Sequence, residues 1–349
     1  MQFIKETNIN FTGAKKIAFG ISLALIAISL LTLIIHKGPR YGVDFAGGSS
    51  LQVKFEGPVD IAAVKRGLEP AGLAGASVQQ FGSDSDHEYQ IRTKQAFMAD
   101  SDFAPMIKKI LGESTGTAVR DLSLDMVGPQ VSKDLRQNAL LAMFYALLFI
   151  IIYISGRFEL KWGISGALAA ILGGAVYGMS QLQSISFISS GMPLLIVFAL
   201  IISIVFCWYL ELKYAMGAII ALVHDVTITV GIFSLLNVEF TLPIIAALLT
   251  IIGYSLNDTI IVFDRIRENG KKYHKKPMDF IINRSVNETL SRTILTSGTT
   301  LMVVAALFAF GGGVIHDFAL AMIIGVTIGT YSSIYVASPI LLAWKTDSE

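Results

Sequence analysis

Residues 248–269 read LLTIIGYSLNDTIIVFDRIREN, and this stretch decides the fold class. It is an apolar run long enough to cross a bilayer, interrupted by one acid, Asp258, and closed by Asp264, Arg265 and Arg267. A hydrocarbon core about 30 Å thick needs about 20 predominantly apolar helical residues. An Asp near the centre of such a helix costs about 2.5–3.5 kcal/mol on insertion scales, so it requires a purpose. Helical spacing places Thr250, Tyr254, Asn257, Asp258, Ile261 and Arg265 along one stripe. This predicts a polar face turned towards neighbouring helices, along a hydrated seam. Asp258 lies six residues inward from Asp264, about 9 Å at about 1.5 Å per residue. Asp264 and Arg265 read as a solvated helix end.

Working outward, the stretch belongs to a run at 241–263, and similar runs lie at 17–35, 138–155, 162–180, 193–210, 215–236, 294–310 and 318–343. Of the 349 residues, 53% are hydrophobic and 15% charged, against about 25% charged in an average soluble domain. The chain is therefore predicted to be a polytopic α-helical membrane protein of about eight spans. A net charge of +1 excludes reading the whole chain as a nucleic-acid binder. The single cysteine, Cys207, sits inside an apolar run and permits neither an intrachain disulfide nor a cysteine zinc site. The first run is too long for a signal-peptide core, and His36-Lys37-Gly38-Pro39-Arg40 offers no small-residue cleavage site, so it reads as a retained signal anchor.

Charge orients the spans. Lys5, Lys15 and Lys16 precede the first run, and Arg265, Arg267, Lys271, Lys272, Lys275, Lys276, Arg284 and Arg292 lie between the sixth and seventh. The positive-inside rule puts both segments in the cytoplasm. An even span count places both termini there, Lys345 included, and leaves the loops at 181–192, 237–240 and 311–317, without Lys or Arg, outside. Three units follow: 1–36, a cytoplasmic N-terminus with the first span; 37–135, a periplasmic domain; and 136–349, the membrane bundle with its cytoplasmic loop at 264–292.

Within 37–135, alternation at 49–55, 76–81, 89–93 and 117–126 predicts strands, with a polar turn at 83–86. Apolar spacing predicts helices over 59–72 and around Phe103, Met106, Ile107 and Ile110. The order βαββαβ predicts a small ferredoxin-like α+β domain. Residues 277–292 read as an amphipathic helix at the cytoplasmic interface. In the bundle, 148–171, containing FELKWGISGALAAI, aligns without gaps to 200–223, containing LELKYAMGAIIALV. The shared Glu-Leu-Lys turn points to a duplicated helical hairpin, in which Gly163, Gly166, Gly174 and Gly178 would permit close packing.

Arg292, just before the seventh span, is the natural counter-charge for Asp258, because that helix returns antiparallel through the same leaflet. Desolvation favours the neutral acid and a nearby guanidinium favours the carboxylate. The pair thus has two stable arrangements, in principle a proton switch; a structural ion pair is the plainer alternative. Carrying one charge through about 100 mV yields about 2.3 kcal/mol. His224 and Asp225, adjacent in the fifth span, point about 100° apart on a helix. They are not expected to act as a joined pair, and capping or support near the seam outweighs proton relay. The sequence offers no metal-ligand spacing, phosphate-cradling glycine loop or nucleophile elbow. It therefore predicts no enzyme, no metal and no cofactor beyond protons.

The segments GYSLNDTIIVFDRIREN and SRTILTSGTTLM closely resemble the SecF protein-export membrane proteins of the SecD/SecF family, within the resistance-nodulation-division superfamily. The likeness continues through GVDFAGG, VGPQVSKDLRQ, ALVHDVTITVGIFSLL and GVTIGTYSSIYVAS. It implies a bacterial inner-membrane subunit that pairs with SecD, uses the proton-motive force and assists late stages of translocation through the SecYEG channel. The implied contacts are the unfolded secretory polypeptide, membrane lipid and, as a further candidate, YajC. By the same resemblance Asp258 falls on the family's essential transmembrane aspartate and Arg292 on its essential arginine, with Asn257 beside them in the LND motif; Tyr254, His224, Asp225, Asp264 and Arg265 are secondary candidates. The family has six spans, so the resemblance implies a six-span core with a helix pair inserted near 156–210, either copy of which could take the second-span place. The competing functions are a proton-coupled lipid or small-molecule exporter of the same superfamily and a passive translocon scaffold. An intramembrane protease would need a paired aspartate or Ser-His arrangement that is not found.

Overall fold

A computed structural model describes residues 7–73, 75–81, 87–93, 103–181 and 186–343. Lys5, Lys345 and the turn at 83–86 lie outside the described residues. Helix α1 (Lys15–Ile35) leads through a single turn, α2 (Val43–Ala46), into β1 (Gly48–Phe55), α3 (Ile61–Leu68), β2 (Ser77–Phe81), β3 (Glu88–Thr93), α4 (Phe103–Thr115) and β4 (Val119–Val127). The bundle follows as α5 (Pro129–Glu159), α6 (Trp162–Gln181), α7 (Ser186–Tyr209), α8 (Lys213–Leu235), α9 (Leu242–Lys272), α10 (Met278–Phe310) and α11 (Gly313–Ser332). α11 runs on through a π-turn, Ser333–Ala337, to Ala343.

The strands form one antiparallel sheet in the order β2-β3-β1-β4. Leu51 of β1 stands opposite Ile91 of β3 and Leu124 of β4. Alternation sends Leu51, Val53 and Ile91 to the face covered by Val64 and Leu68 of α3 and by Ile107 and Leu111 of α4. The sheet meets the bundle at GVDFAGG, where Gly47 and Gly48 both take positive φ (74° and 123°), which a side chain would resist. A Cβ at Gly47 would also approach Ser132 Oγ at the start of α5 to 3.1 Å.

Six helices, α1, α5, α8, α9, α10 and α11 with its continuation, are long and apolar enough to cross a membrane among the described residues. α6 and α7 stand where spans were expected, but their described apolar stretches, Trp162–Gly178 and Ala199–Tyr209, are shorter. They pack on each other, α6 against α5 and α7 against α5 and α8, while α9 and α10 pack directly on one another. The glycines expected to draw this pair inward do not: Gly163, Gly166, Gly174 and Gly178 face open space among the described residues. The two Glu-Leu-Lys turns also differ, Leu160 taking the left-handed conformation in the first and Glu211 in the second. They lock together all the same, since Lys161 Nζ donates to Leu210 O at 2.5 Å and Glu159 Oε1 accepts from the Tyr214 N–H at 3.1 Å.

The segment 264–292, expected to be a loop bearing an interfacial helix, is mostly an extension of two spans. α9 continues to Lys272, α10 begins at Met278, and only 273–277 connects them. No proline or glycine lies between Met278 and Ser297, so nothing breaks the helix where it enters the membrane. Of the apolar residues that make this segment amphipathic, Ile281, Val286 and Leu290 are buried in the bundle core, whereas Phe280 is exposed.

Candidate functional site

Asp258 is 1% exposed on α9. Facing it from α10, Ser297 Oγ donates to Asp258 Oδ2 at 3.2 Å, and Thr330 Oγ1 of α11 donates to Ser297 Oγ at 2.7 Å. α11 comes this close to α9 because its facing residues are glycines: a Cβ on Gly325 would sit 2.3 Å from Ile251, and one on Gly329 2.9 Å from Ser255. Arg292 lies on the same helix as Ser297, five residues towards the connector, and is exposed. It makes no ion pair among the described residues, and its interaction with Asp258 is through space. The two expected partners thus share adjacent helices without a direct salt bridge.

The expected polar stripe divides. Asp258 is buried and Tyr254 hydroxyl donates to Thr300 Oγ1 on α10 at 3.2 Å, whereas Thr250 and Asn257 lie on the exposed side of α9. The buried polar face of α9 is made by Ser255, Asp258, Thr259 and Asn269.

A second buried acid lies deeper. Asp225 is fully buried on α8; its Oδ2 accepts from Ser255 Oγ of α9 at 2.6 Å and Ser332 Oγ of α11 at 2.8 Å. Its Oδ1 meets His224 Nδ1 at 2.9 Å, so the two neighbours do pair, contrary to expectation. Divergent Cα–Cβ directions are overcome by the length of the two side chains, which lets the imidazole nitrogen and the carboxyl oxygen meet. On the other side His224 Nε2 meets Ser22 Oγ of α1 at 3.1 Å, and Ser22 Oγ donates to the Tyr331 hydroxyl at 3.2 Å. One carboxylate therefore gathers α1, α8, α9 and α11. Ser255 and Asp258 are three residues apart on α9, and Thr330 and Ser332 two apart on α11, so the two acid clusters lie side by side between the same helices. Sequence reading missed Ser22, Ser255, Ser297, Thr330, Tyr331 and Ser332. For Ser297, Thr330 and Ser332 the signal was small hydroxyl residues set beside glycines in TSGTT and TIGTYSS; Ser22 and Ser255 lie outside both stretches.

The remaining candidates are structural in their contacts. Asp264 Oδ2 pairs with Arg157 of α5 at 2.5 Å, and Arg265 bridges Glu268 and Glu288, each at 2.6 Å. These pairs tie α5, α9 and α10 beyond the apolar region. At the opposite end Glu239, 7% exposed in the α8–α9 connection, pairs with Arg40 at 3.3 Å and with Arg92 of β3. Asp44 Oδ2 accepts the first N–H of α9, from Leu242, at 2.9 Å. The sheet domain is thus joined to the helix that carries Asp258. Among the described residues no group of three or more His, Cys, Asp or Glu side chains is placed to hold a metal ion.

An apolar bundle bearing one α/β domain, with carboxylates held between its helices by hydroxyl groups, defines the class: a multi-pass membrane protein with a polar interior. The family model for the protein export membrane protein SecD/SecF, C-terminal, matches residues 107–180 and 175–347, and that for the SecD/SecF GG motif matches 32–59, where Gly47 and Gly48 lie. The chain is 42% identical over 345 residues to the protein translocase subunit SecF of Magnetococcus marinus, covering 97% of this chain and 93% of that one. To the SecF of Escherichia coli O157:H7 it is 36% identical over 325 residues, covering 93% and 84% respectively. The crystal structure of SecDF, a translocon-associated membrane protein from Thermus thermophilus, superposes with a TM-score of 0.68 at 31% identity, covering 97% of this chain. This chain spans 39% of that one. The chain belongs to the SecF family of protein translocase subunits.

Proposed function

We propose that this chain is the SecF half of a proton-driven export device that pairs with SecD in the bacterial inner membrane and assists late translocation through SecYEG. YajC is a further candidate partner, and the moving cargo is an unfolded secretory polypeptide. Asp258 is the proton-accepting group and Arg292 its counter-charge. Burial of Asp258 beside a hydroxyl donor, within electrostatic reach of an arginine that has no ion-pair partner among the described residues, carries this reading. Ionised, the carboxylate attracts Arg292; neutral, it releases the arginine. The exposed Thr250 and Asn257 then belong to the surface offered to SecD.

The same reading makes α6 and α7 a membrane-embedded pair added to a six-span core, and the sheet a ferredoxin-like domain on the periplasmic side. Both termini are cytoplasmic. In support, the segment before α1 is bonded to the connector-proximal start of α10, where Asn283 Oδ1 accepts from the Thr12 N–H and Asn287 Oδ1 from the Ile9 N–H, both at 2.9 Å. The Glu239 junction with Arg40 and Arg92 is the route by which helix movement reaches the outer domain. The test is Asp258→Asn in the reconstituted SecD-bound complex. Lost stimulation of export with unchanged assembly is expected; full export would leave only a scaffold.

A further inference from the structure

At the sheet-bearing end of the bundle an apolar groove of about 190 Å³ opens between α5, α8 and the start of α9. Met143, Val226, Val230, Ile245 and Leu248 line its depth, and Tyr41 and Phe45 form part of its mouth. Among the described residues of its lining, Arg136 is the one that carries a charge. The Arg136 guanidinium is exposed and lies 5.6 Å from the centre of the Tyr41 ring, with no ion pair among the described residues. Of the acids at this end, Asp44 accepts from the Leu242 N–H, Glu239 pairs with Arg40 and Arg92, Asp134 accepts from Gln130 Nε2 and Asp317 meets His316.

We propose that this groove holds one acyl chain of an anionic phospholipid whose phosphate is taken by Arg136. Arg136 stands just ahead of the apolar run that begins at residue 138, the depth at which a headgroup meets hydrocarbon. Met143 lies seven residues further along α5, about 10 Å deeper at about 1.5 Å per residue. That covers most of one leaflet of a core about 30 Å thick. An aliphatic wall of this length suits a methylene chain, and an unpaired guanidinium at its rim favours a lipid with net negative charge over a zwitterionic one. A protein segment would bring backbone N–H and C=O groups into a groove whose depth is lined by aliphatic side chains, and they would be left unsatisfied there. The inference needs only that the bundle sits in a bilayer, so it survives if the proton mechanism fails.

The test is native mass spectrometry of the full chain, alone and with its SecD partner, released from nanodiscs of phosphatidylcholine with graded phosphatidylglycerol. Retention of phosphatidylglycerol over phosphatidylcholine is expected, falling about fivefold in Arg136→Gln, the worth of about one basic residue at an anionic surface. Met143→Trp, which fills the groove and leaves the guanidinium, is expected to release the lipid as well. Equal retention of both lipids, or unchanged selectivity in Arg136→Gln, would overturn the proposal. So would loss of the lipid whenever SecD is bound, which would make the groove part of the subunit seam.

Discussion

Replacing Asp225 with alanine is expected to damage the bundle more than any other single truncation in its interior. The carboxylate is fully buried and holds His224, Ser255 and Ser332 at 2.6–2.9 Å. Interhelical hydrogen bonds in membrane proteins average about 0.6 kcal/mol and reach about 1.7. Ser255→Ala and Ser332→Ala each remove one bond to a fully buried carboxyl oxygen, which belongs at the upper end, about 1–1.7 kcal/mol apiece. Asp225→Ala instead removes at one stroke the shared partner of His224, Ser255 and Ser332, and breaking a buried network of this kind costs about 3–5 kcal/mol. It should therefore exceed the sum of the two serine substitutions. The assay is reversible unfolding in mixed micelles followed by tryptophan fluorescence, with Asp225→Ala, both serine variants and their combinations in a double-mutant cycle. Coupling of about 1 kcal/mol between Asp225 and each serine is expected. A loss below about 1 kcal/mol for Asp225→Ala, or no coupling, would refute the view that this acid gathers the four helices.

Glu239→Gln keeps the shape of the joint between sheet and bundle but removes the charge shared by Arg40 and Arg92. Weakened by about 2 kcal/mol, the joint should let β3 amides exchange roughly thirtyfold faster with deuterium; unchanged exchange would show that the tie carries no load. Gly325→Val should push α11 away from Ile251 and lower thermal stability by about 1–3 kcal/mol, whereas the same change at Gly174, which faces open space, should have little effect. Arg157→Ala, removing a half-exposed pair with Asp264, should cost at most about 1 kcal/mol, read by the same unfolding assay.

Much of this architecture was legible because apolar length and alternation report burial directly. The helices stand where the apolar runs lie, and the element order of the small domain matches its alternating stretches. What sequence could not supply was whatever depends on a partner helix. A stripe drawn on α9 alone cannot say which side the neighbours occupy, so Thr250 and Asn257 were expected inward and lie outward. Adjacent residues were expected not to meet, yet the reach of a histidine ring brings His224 to Asp225. The glycines near Ser297 and Ser332 hint at close packing, but only the packing of α8, α9, α10 and α11 makes these serines partners of Asp258 and Asp225. Three of the four apolar residues expected on one face of 277–292, Ile281, Val286 and Leu290, do share a side, but that side meets the bundle core rather than a membrane surface, and Phe280 is exposed.

In the proposed export device Asp258 exchanges an electrostatic partner for a proton. Proton entry into vesicles containing the SecD-bound complex, followed with a pH-sensitive dye under an imposed potential, addresses this without any secretory substrate. Asp258→Asn is expected to abolish that flux, while Ser297→Ala only slows it. Undiminished flux in Asp258→Asn would contradict that exchange.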